Sequence, residues 1–435
     1  MMEVPLPENT VLRGMTGLLL ASLVFVVAGC AGPEPPTVGA VVDSCTRREA
    51  AEVAGLRPGD VVVAWRQGKD MGEVPSPFHL RIIEQERVLL GPVELTVRRD
   101  GDSMRITIPT GRWRVRLRPV FSPQDLGLAE EALEAEENGE LGNAGNLWES
   151  LASRSTTGGR TLAAAFFHAQ HGIALAKAGQ KEASASILHL GAEIIPDERV
   201  RAAYWESAGA RLLSAGLNSD AADALSSAVA SLAPDSPGMA FVQLQLCRTN
   251  LRTCDAEAVR AVEIYRLTGG EKTIELAQTL TCTGTGAYYR GDLDAAEEGY
   301  RNALLIVRDI AAGSPMECEL LGNLGLVAKR RGDFATAREF FRQDMAAAEH
   351  LGSGTLQYSH AANYLGLLAK NTGRYEVARP YYEKALASFR ITNPNGPEVA
   401  GVLTNLGNVA LREKDNEAAR RFHEEALALR RRLDP

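Results

Sequence analysis

The sequence predicts a multidomain chain: a small mixed β/α module followed by an all-α superhelix of paired helices. Three observations predict it. Glycines recur every 41 residues at Gly284, Gly325, Gly366 and Gly407, with small and aromatic residues at fixed offsets behind them. Residues 37–118 instead carry short apolar runs and an Asp100-Gly101 turn between two alternating segments. A single 16-residue apolar run, residues 14–29, stands apart near the start.

Composition bounds the rest. A chain of 435 residues, 45% apolar and 23% charged, is globular, which excludes a mostly disordered chain, a collagen-like chain and a polytopic membrane protein. The net charge of −8 argues against nucleic acid as the main partner. The charge is uneven: residues 37–118 carry 14 Lys/Arg against 11 Asp/Glu, and residues 119–435 carry 32 against 41.

The apolar run follows Arg13, is short for a membrane span and suits the core of an export signal. It ends in Val27-Ala28-Gly29-Cys30, which resembles a bacterial lipobox. The resemblance implies a signal peptide at residues 1–29 and a diacylglyceryl group on Cys30, with residues 30–36 as a stiff lipidated linker. It also implies anchoring to a membrane of the bacterial cell envelope, the outer one in preference because Ala31, not Asp, follows the cysteine.

In residues 37–118 the pattern gives a strand at 38–42, a short helix at 48–54 and a strand at 61–65. A helix follows at 77–90, and a hairpin joins 93–99 to 103–108. Residues 51–62, AEVAGLRPGDVV, resemble the PDZ domains of periplasmic Deg-type proteases, with Asp60 bracketing the loop. Such domains bind an extended peptide along a strand edge beside a helix. Carried over by position, the groove lies between residues 37–42 and the helix at 78–90, and takes in Val38, Gly39, Ala40, Val41, Val42, Phe78 and Ile82. Val38-Gly39-Ala40 is the expected carboxylate-binding loop. A missing lead-in strand is supplied from residues 112–118, where four arginines alternate with Trp113, Val115 and Leu117.

Behind each 41-residue glycine, offset 7 holds Gly291, Gly332, Gly373 and Lys414, and offset 12 holds Ala296, Ala337, Ala378 and Ala419. Offset 16 holds Tyr300, Phe341, Tyr382 and His423, and offset 19 holds Ala303, Asp344, Ala385 and Ala426. Small residues let two antiparallel helices touch, the second glycine ends the first helix, and the aromatic fills the gap. This spacing is that of tetratricopeptide repeats (TPR), and the long period resembles the kinesin-light-chain type. Residues 271–435 hold four such repeats, and residues 122–270 hold degenerate ones, marked by Gly172/Gly179 and Gly209/Gly216. Seven or eight helical hairpins are expected in all.

The first helix of each hairpin lines the concave side. Its polar positions there include Gln278, Glu319, Asn323, Lys329, His360, Asn363, Lys370, Asn405, Asn408 and Arg412, amides and charges suited to a peptide backbone. Leu326 and Leu367 stand where the clamp of chaperone-binding repeats needs Asn, so that ligand class is not expected. Phe422, Leu427 and Leu429 leave an apolar edge on the last helix. Cys247 and Cys254 are close enough in sequence to pair, although spacing alone does not decide it.

No catalytic motif stands out. His168 and His171 lack further metal ligands, and neither a nucleophile elbow nor a phosphate loop occurs. The sequence therefore reads as a non-enzymatic, lipid-anchored adaptor with no cofactor, no metal and no small-molecule substrate. Its expected partners are proteins or peptides, with the membrane reached through Cys30. The alternative reading is the regulatory or substrate-recruiting part of a protease system, such as a TPR–CHAT protein without its catalytic domain.

Overall fold

The computed structural model describes residues 38–46, 50–109, 113, 115–251 and 255–433. The chain divides into two compact units, residues 1–168 and 169–435.

The first unit holds six strands: β1 (Ala40–Cys45), β2 (Val61–Gln67), β3 (Asp70–Glu73), β4 (Val93–Arg99), β5 (Asp102–Ile108) and β6 (Val115–Pro119). They form an antiparallel sheet in the order β5-β4-β2-β1-β6, with β3 pairing the distal half of β2. The helices α1 (Ala50–Val53) and α2 (Pro77–Arg87, extended by a 3-10 turn Val88–Leu90) complete the module. Its core gathers Val62, Leu80, Ile83, Leu95, Val97, Ile108 and Trp113. The β4–β5 hairpin closes through Asp100 and Gly101, both at positive φ, which gives the two-residue turn its required hand.

Residues 55–60 behave as their sequence predicts. Gly55 and Gly59 take φ of +95° and +91°, and Gly59 N–H bonds the Val42 carbonyl. Asp60, 1% exposed, accepts the Arg57 N–H at 2.8 Å and both branches of the Arg99 guanidinium at 2.6 and 2.7 Å. Arg99 also donates to the Gly55 carbonyl, so one carboxylate ties the loop to the end of β4. Two details differ from expectation. β1 starts two residues later and runs to Cys45, and β3 carries no apolar alternation in its Asp70–Glu73 sequence, so no pattern announced it.

Also in the first unit are α3 (Pro123–Glu137), α4 (Leu141–Thr157) and the start of α5 (Thr161–Lys177). Ala132, Gly139, Ala144 and Trp148 hold the same offsets of 0, 7, 12 and 16 as the later glycine repeats, and Trp148 stacks on Phe167.

The second unit is helical throughout its described residues. After α5 come α6 (Lys181–Glu193), α7 (Glu198–Ser214), α8 (Asn218–Ala230), α9 (Pro237–Thr249) and α10 (Asp255–Leu267). Then follow the long pairs α11 (Ile274–Arg290) with α12 (Leu293–Ile310), and α13 (Pro315–Arg330) with α14 (Phe334–Leu351). The last pairs are α15 (Leu356–Asn371) with α16 (Tyr375–Thr392), and α17 (Pro397–Arg412) with α18 (Asn416–Leu433). The physical basis of the glycine column is steric. A Cβ on Gly325 would fall 2.3 Å from the Phe341 ring, on Gly366 2.8 Å from Tyr382, and on Gly407 2.6 Å from His423. Gly172 and Gly209 meet Leu188 and Leu225, 16 residues on, in the same way. Ala296, Ala337, Ala378 and Ala419 are buried in the facing helices.

The turn inside each hairpin repeats too. Gly291, Gly332 and Gly373 sit at φ of +75° to +89°, ending the first helix in the left-handed conformation. Asp292, Asp333 and Asp415 then cap the second helix by accepting a backbone N–H three residues on. Lys414 adopts the same conformation at φ +65° with a side chain that opposes it. Lys414→Gly is therefore expected to stabilise the unit by about 0.5–1 kcal/mol, read as a higher midpoint in urea denaturation with unchanged slope. The expected apolar edge on α18 is smaller than the sequence implied: Leu429 is buried, Phe422 half-buried and only Leu427 exposed. Cys247 is disulfide-bonded, while Cys45 and Cys318 carry free thiols.

Candidate peptide-binding surfaces

The sheet does not leave β1 an edge for a peptide. β1 pairs with β2 at Ala40 and Val41, and with β6 from Ala40 to Cys45. Val42 also donates its N–H to the Asp60 carbonyl. Ala40, Val41 and Val42 are buried, Gly39 packs against Val61, and only Val38 is exposed. The groove expected at Val38, Gly39, Ala40, Val41 and Val42 is thus corrected: β6 (Val115–Pro119) fills the place beside β1.

Beside β1 the outer edge is that of β6, which pairs with β1 alone among the described residues, as β5 ends the other side of the sheet. Helix α2 packs against both β1 and β6, and the Trp113 N–H donates to the Glu84 carboxylate at 3.1 Å. On α2, Phe78 is buried and Ile82 half-buried. As the last strand of the sheet beside α2, β6 is where an extended chain could add. The basic face expected here is partly tied down: Arg116 is exposed, but Arg118 pairs with Asp43 at 2.8 Å and lies over Phe121. Arg112 and Arg114 lie outside the described residues, as does Cys30.

In the second unit the polar positions of the first helices separate into two regions. Lys370 Nζ donates to Asn405 Oδ1 at 2.8 Å. Lys370, Tyr375, Asn408 and Arg412 line an open hollow of about 560 Å³ where α15 and α17 end. Arg412 lies 6.0 Å over the Tyr375 ring. Lys329, half-buried one repeat earlier, is pushed below its ordinary lysine range by burial and then by Lys370. Burial alone does the same to Lys370. These ammonium groups sit where water solvates them poorly, and an anion there would restore what burial removes.

The second region lies towards α11. Glu319 opens to solvent yet its carboxyl is raised by the surrounding walls, with Arg248 opposing. Tyr364 is pushed up to about 12 by burial and then by Asp344 and Glu319. Its ring stacks on Phe341 at 5.2 Å and on His360 at 6.1 Å. Gln278 and Asn323 are half-buried here, and Asn363 keeps its amide oxygen buried with no hydrogen-bond partner. Asp344, in the otherwise all-alanine column at offset 19, is the residue that sequence reasoning passed over. No group of three or more metal-ligating side chains occurs among the described residues, and none of their helices is long and apolar enough to cross a membrane.

A tetratricopeptide repeat family model matches residues 357–432. No curated protein matches. Among solved structures the chain is similar to BtubC (BKLC) from P. vanneervenii, at 19% identity over 54% of this chain and 89% of that one, with a TM-score of 0.39. It is similar to Pseudomonas aeruginosa pilF at 20% identity over 51% and 88%, TM-score 0.37. It is also similar to a Rap protein complexed with competence and sporulation factor, at 13% identity over 72% and 99%, TM-score 0.43. With a matching family model over α15–α18 and the same steric register reaching back to Gly284, the C-terminal region is built of tetratricopeptide repeats.

Proposed function

We propose that this chain is a non-catalytic scaffold that holds a protein partner in the groove of its repeats, anchored in the bacterial cell envelope by an acylated Cys30. The observation that carries the reading is the basic hollow at the ends of α15 and α17. There Lys370, depressed by burial, converges with the amides of Asn371 and Asn408 and with Arg412, without a carboxylate among the lining residues, and Lys329 one repeat earlier adds its charge nearby. That chemistry suits an acidic or carboxylate-bearing stretch of polypeptide. The β6 edge beside α2 supports a second, PDZ-like site for an extended peptide.

The test is a crosslinked pull-down from native membranes with wild type, Cys30→Ala and the double variant Lys370→Ala/Arg412→Ala. Both variants are expected to fold, since neither lysine nor arginine contributes to the core. Specific proteins captured by wild type, lost in the double variant and shifted to the soluble fraction in Cys30→Ala are the expected result. Capture unchanged by the double variant overturns the groove, and a Cys30 without acyl mass overturns the anchor.

A further inference from the structure

Several arginines of the repeat unit are paired across its hairpins. Arg331 reaches Glu297 and Asp294, Arg379 reaches Glu413, Arg390 reaches Glu425 and Arg308 reaches Glu317. All four are partly exposed, so water alone would serve them. The groove cations are treated in the opposite way. Lys329, Lys370 and Arg412 stand in the last turns of α13, α15 and α17, three successive first helices. The two lysines are half-buried, yet no ion pair reaches any of the three from a described residue. Helix carbonyls favour a cation in a last turn, and an exposed one suffices for that. Lys370 is instead drawn inward, giving its Nζ to Asn405 Oδ1 on the next first helix at 2.8 Å.

Charge count and shape say which anion this arrangement suits. Lys370 and Arg412 line the hollow, and Lys329 is near enough for the charge of Lys370 to bear on it. A carboxylate brings one charge and two oxygens in a plane, which answers one of two lysines that repel each other in poorly hydrated surroundings. A phosphate monoester brings nearly two charges above about pH 6, and three acceptor oxygens pointing three ways. Lysine meets such a group as a point charge and arginine as a fork, while the Asn371 and Asn408 amides can donate to it. The Arg412 guanidinium lies over the Tyr375 ring at the same wall. The hollow, about 560 Å³, far exceeds the about 30 Å³ of one water, so a polyatomic anion has room.

We propose that the hollow where α15 and α17 end is a site for a phosphate dianion, free or as a monoester, with Lys370 and Arg412 on its oxygens and Lys329 as the second counter-charge. The site rests on the hollow being an anion-binding part of the groove, and it makes phosphate, not carboxylate, the group that the hollow prefers.

The experiment uses small probes on the full chain in phosphate-free buffer, so that it stands apart from the pull-down. N-acetyl-phosphoserine methylamide, its aspartate counterpart and inorganic phosphate are titrated by calorimetry and phosphorus NMR at constant ionic strength. Wild type is expected to bind the phosphoserine probe about tenfold more tightly than the aspartate probe, and Lys370→Gln and Arg412→Gln each to lose about tenfold. Lys329→Gln, beside the hollow, should narrow the preference for phosphate and leave the aspartate affinity little changed. Inorganic phosphate binding as tightly as the phosphoserine probe assigns the site to the free ion, and tighter binding of the probe assigns it to a phosphate carried on a larger ligand; both support the site. Equal affinity for phosphoserine and aspartate, unchanged affinity in Lys370→Gln and Arg412→Gln, or no saturation of folded wild type overturns it. A partner lost from the double variant in the pull-down, alongside probes that show no preference for phosphate, leaves the scaffold standing and removes only this inference.

Discussion

Asp344→Ala is expected to raise stability by about 2–5 kcal/mol at pH 8 and to leave it nearly unchanged at pH 4. Burial raises this carboxyl from its ordinary 3.8 to about 8. The folded chain therefore holds a proton that the unfolded chain releases more readily. Stability from this group is full below about pH 4, falls as pH rises, and levels off above about pH 8. Alanine removes the slope and matches the residue at this position in the three neighbouring repeats. The carboxyls held below their usual range, Asp125, Glu297, Glu317 and Asp333, act on the acid side and do not mask the window. Urea denaturation of both proteins at pH 5, 6.5 and 8 checks it. Parallel curves for wild type and variant would show that Asp344 finds a partner in solution.

Asp60→Ala is expected to cost the first unit about 3 kcal/mol. The carboxylate is buried while Arg99 is 19% exposed, so the stranded guanidinium turns partly to water and the loss stays at the lower end for buried pairs. The change also frees the Arg57 N–H and the Arg99 grip on Gly55, two ties that hold the loop between α1 and β2. Thermal unfolding should separate this loss from the repeat unit, because the two units have their own cores. A variant with an unchanged first transition would mean that Gly55 and Gly59 set the loop alone.

How much of this was legible follows from how local each constraint is. The repeat hairpins were readable because the glycine and its aromatic lie 16 residues apart and meet in one hairpin, so the steric demand appears as a fixed spacing. The Gly55–Asp60 loop was readable for the same reason, although its tie to Arg99, 39 residues on, was not. The burial of Val41 and Val42 was not legible because β6 joins β1 from 70 or more residues away, and nothing local says which side of β1 it takes. β3 was missed because its Met71 is exposed and its other residues are polar or glycine. Asp344 left a visible mark, one acid in a column of alanines, but its burial against Gly322 depends on how the facing helix packs.

The hairpin turns carry a mechanical consequence. Every joint from α5 onward that ends in a left-handed glycine is a hinge set without strain, and the joint at Lys414 is set against its side chain. In an array whose units touch only their neighbours, strain at one joint stays there. The α17/α18 hairpin, with Lys414 at the turn and His423 at the ring position, is then the one of the four 41-residue hairpins that carries this strain. It also forms one wall of the basic hollow, so the strained joint borders the cluster of Lys370, Asn408 and Arg412.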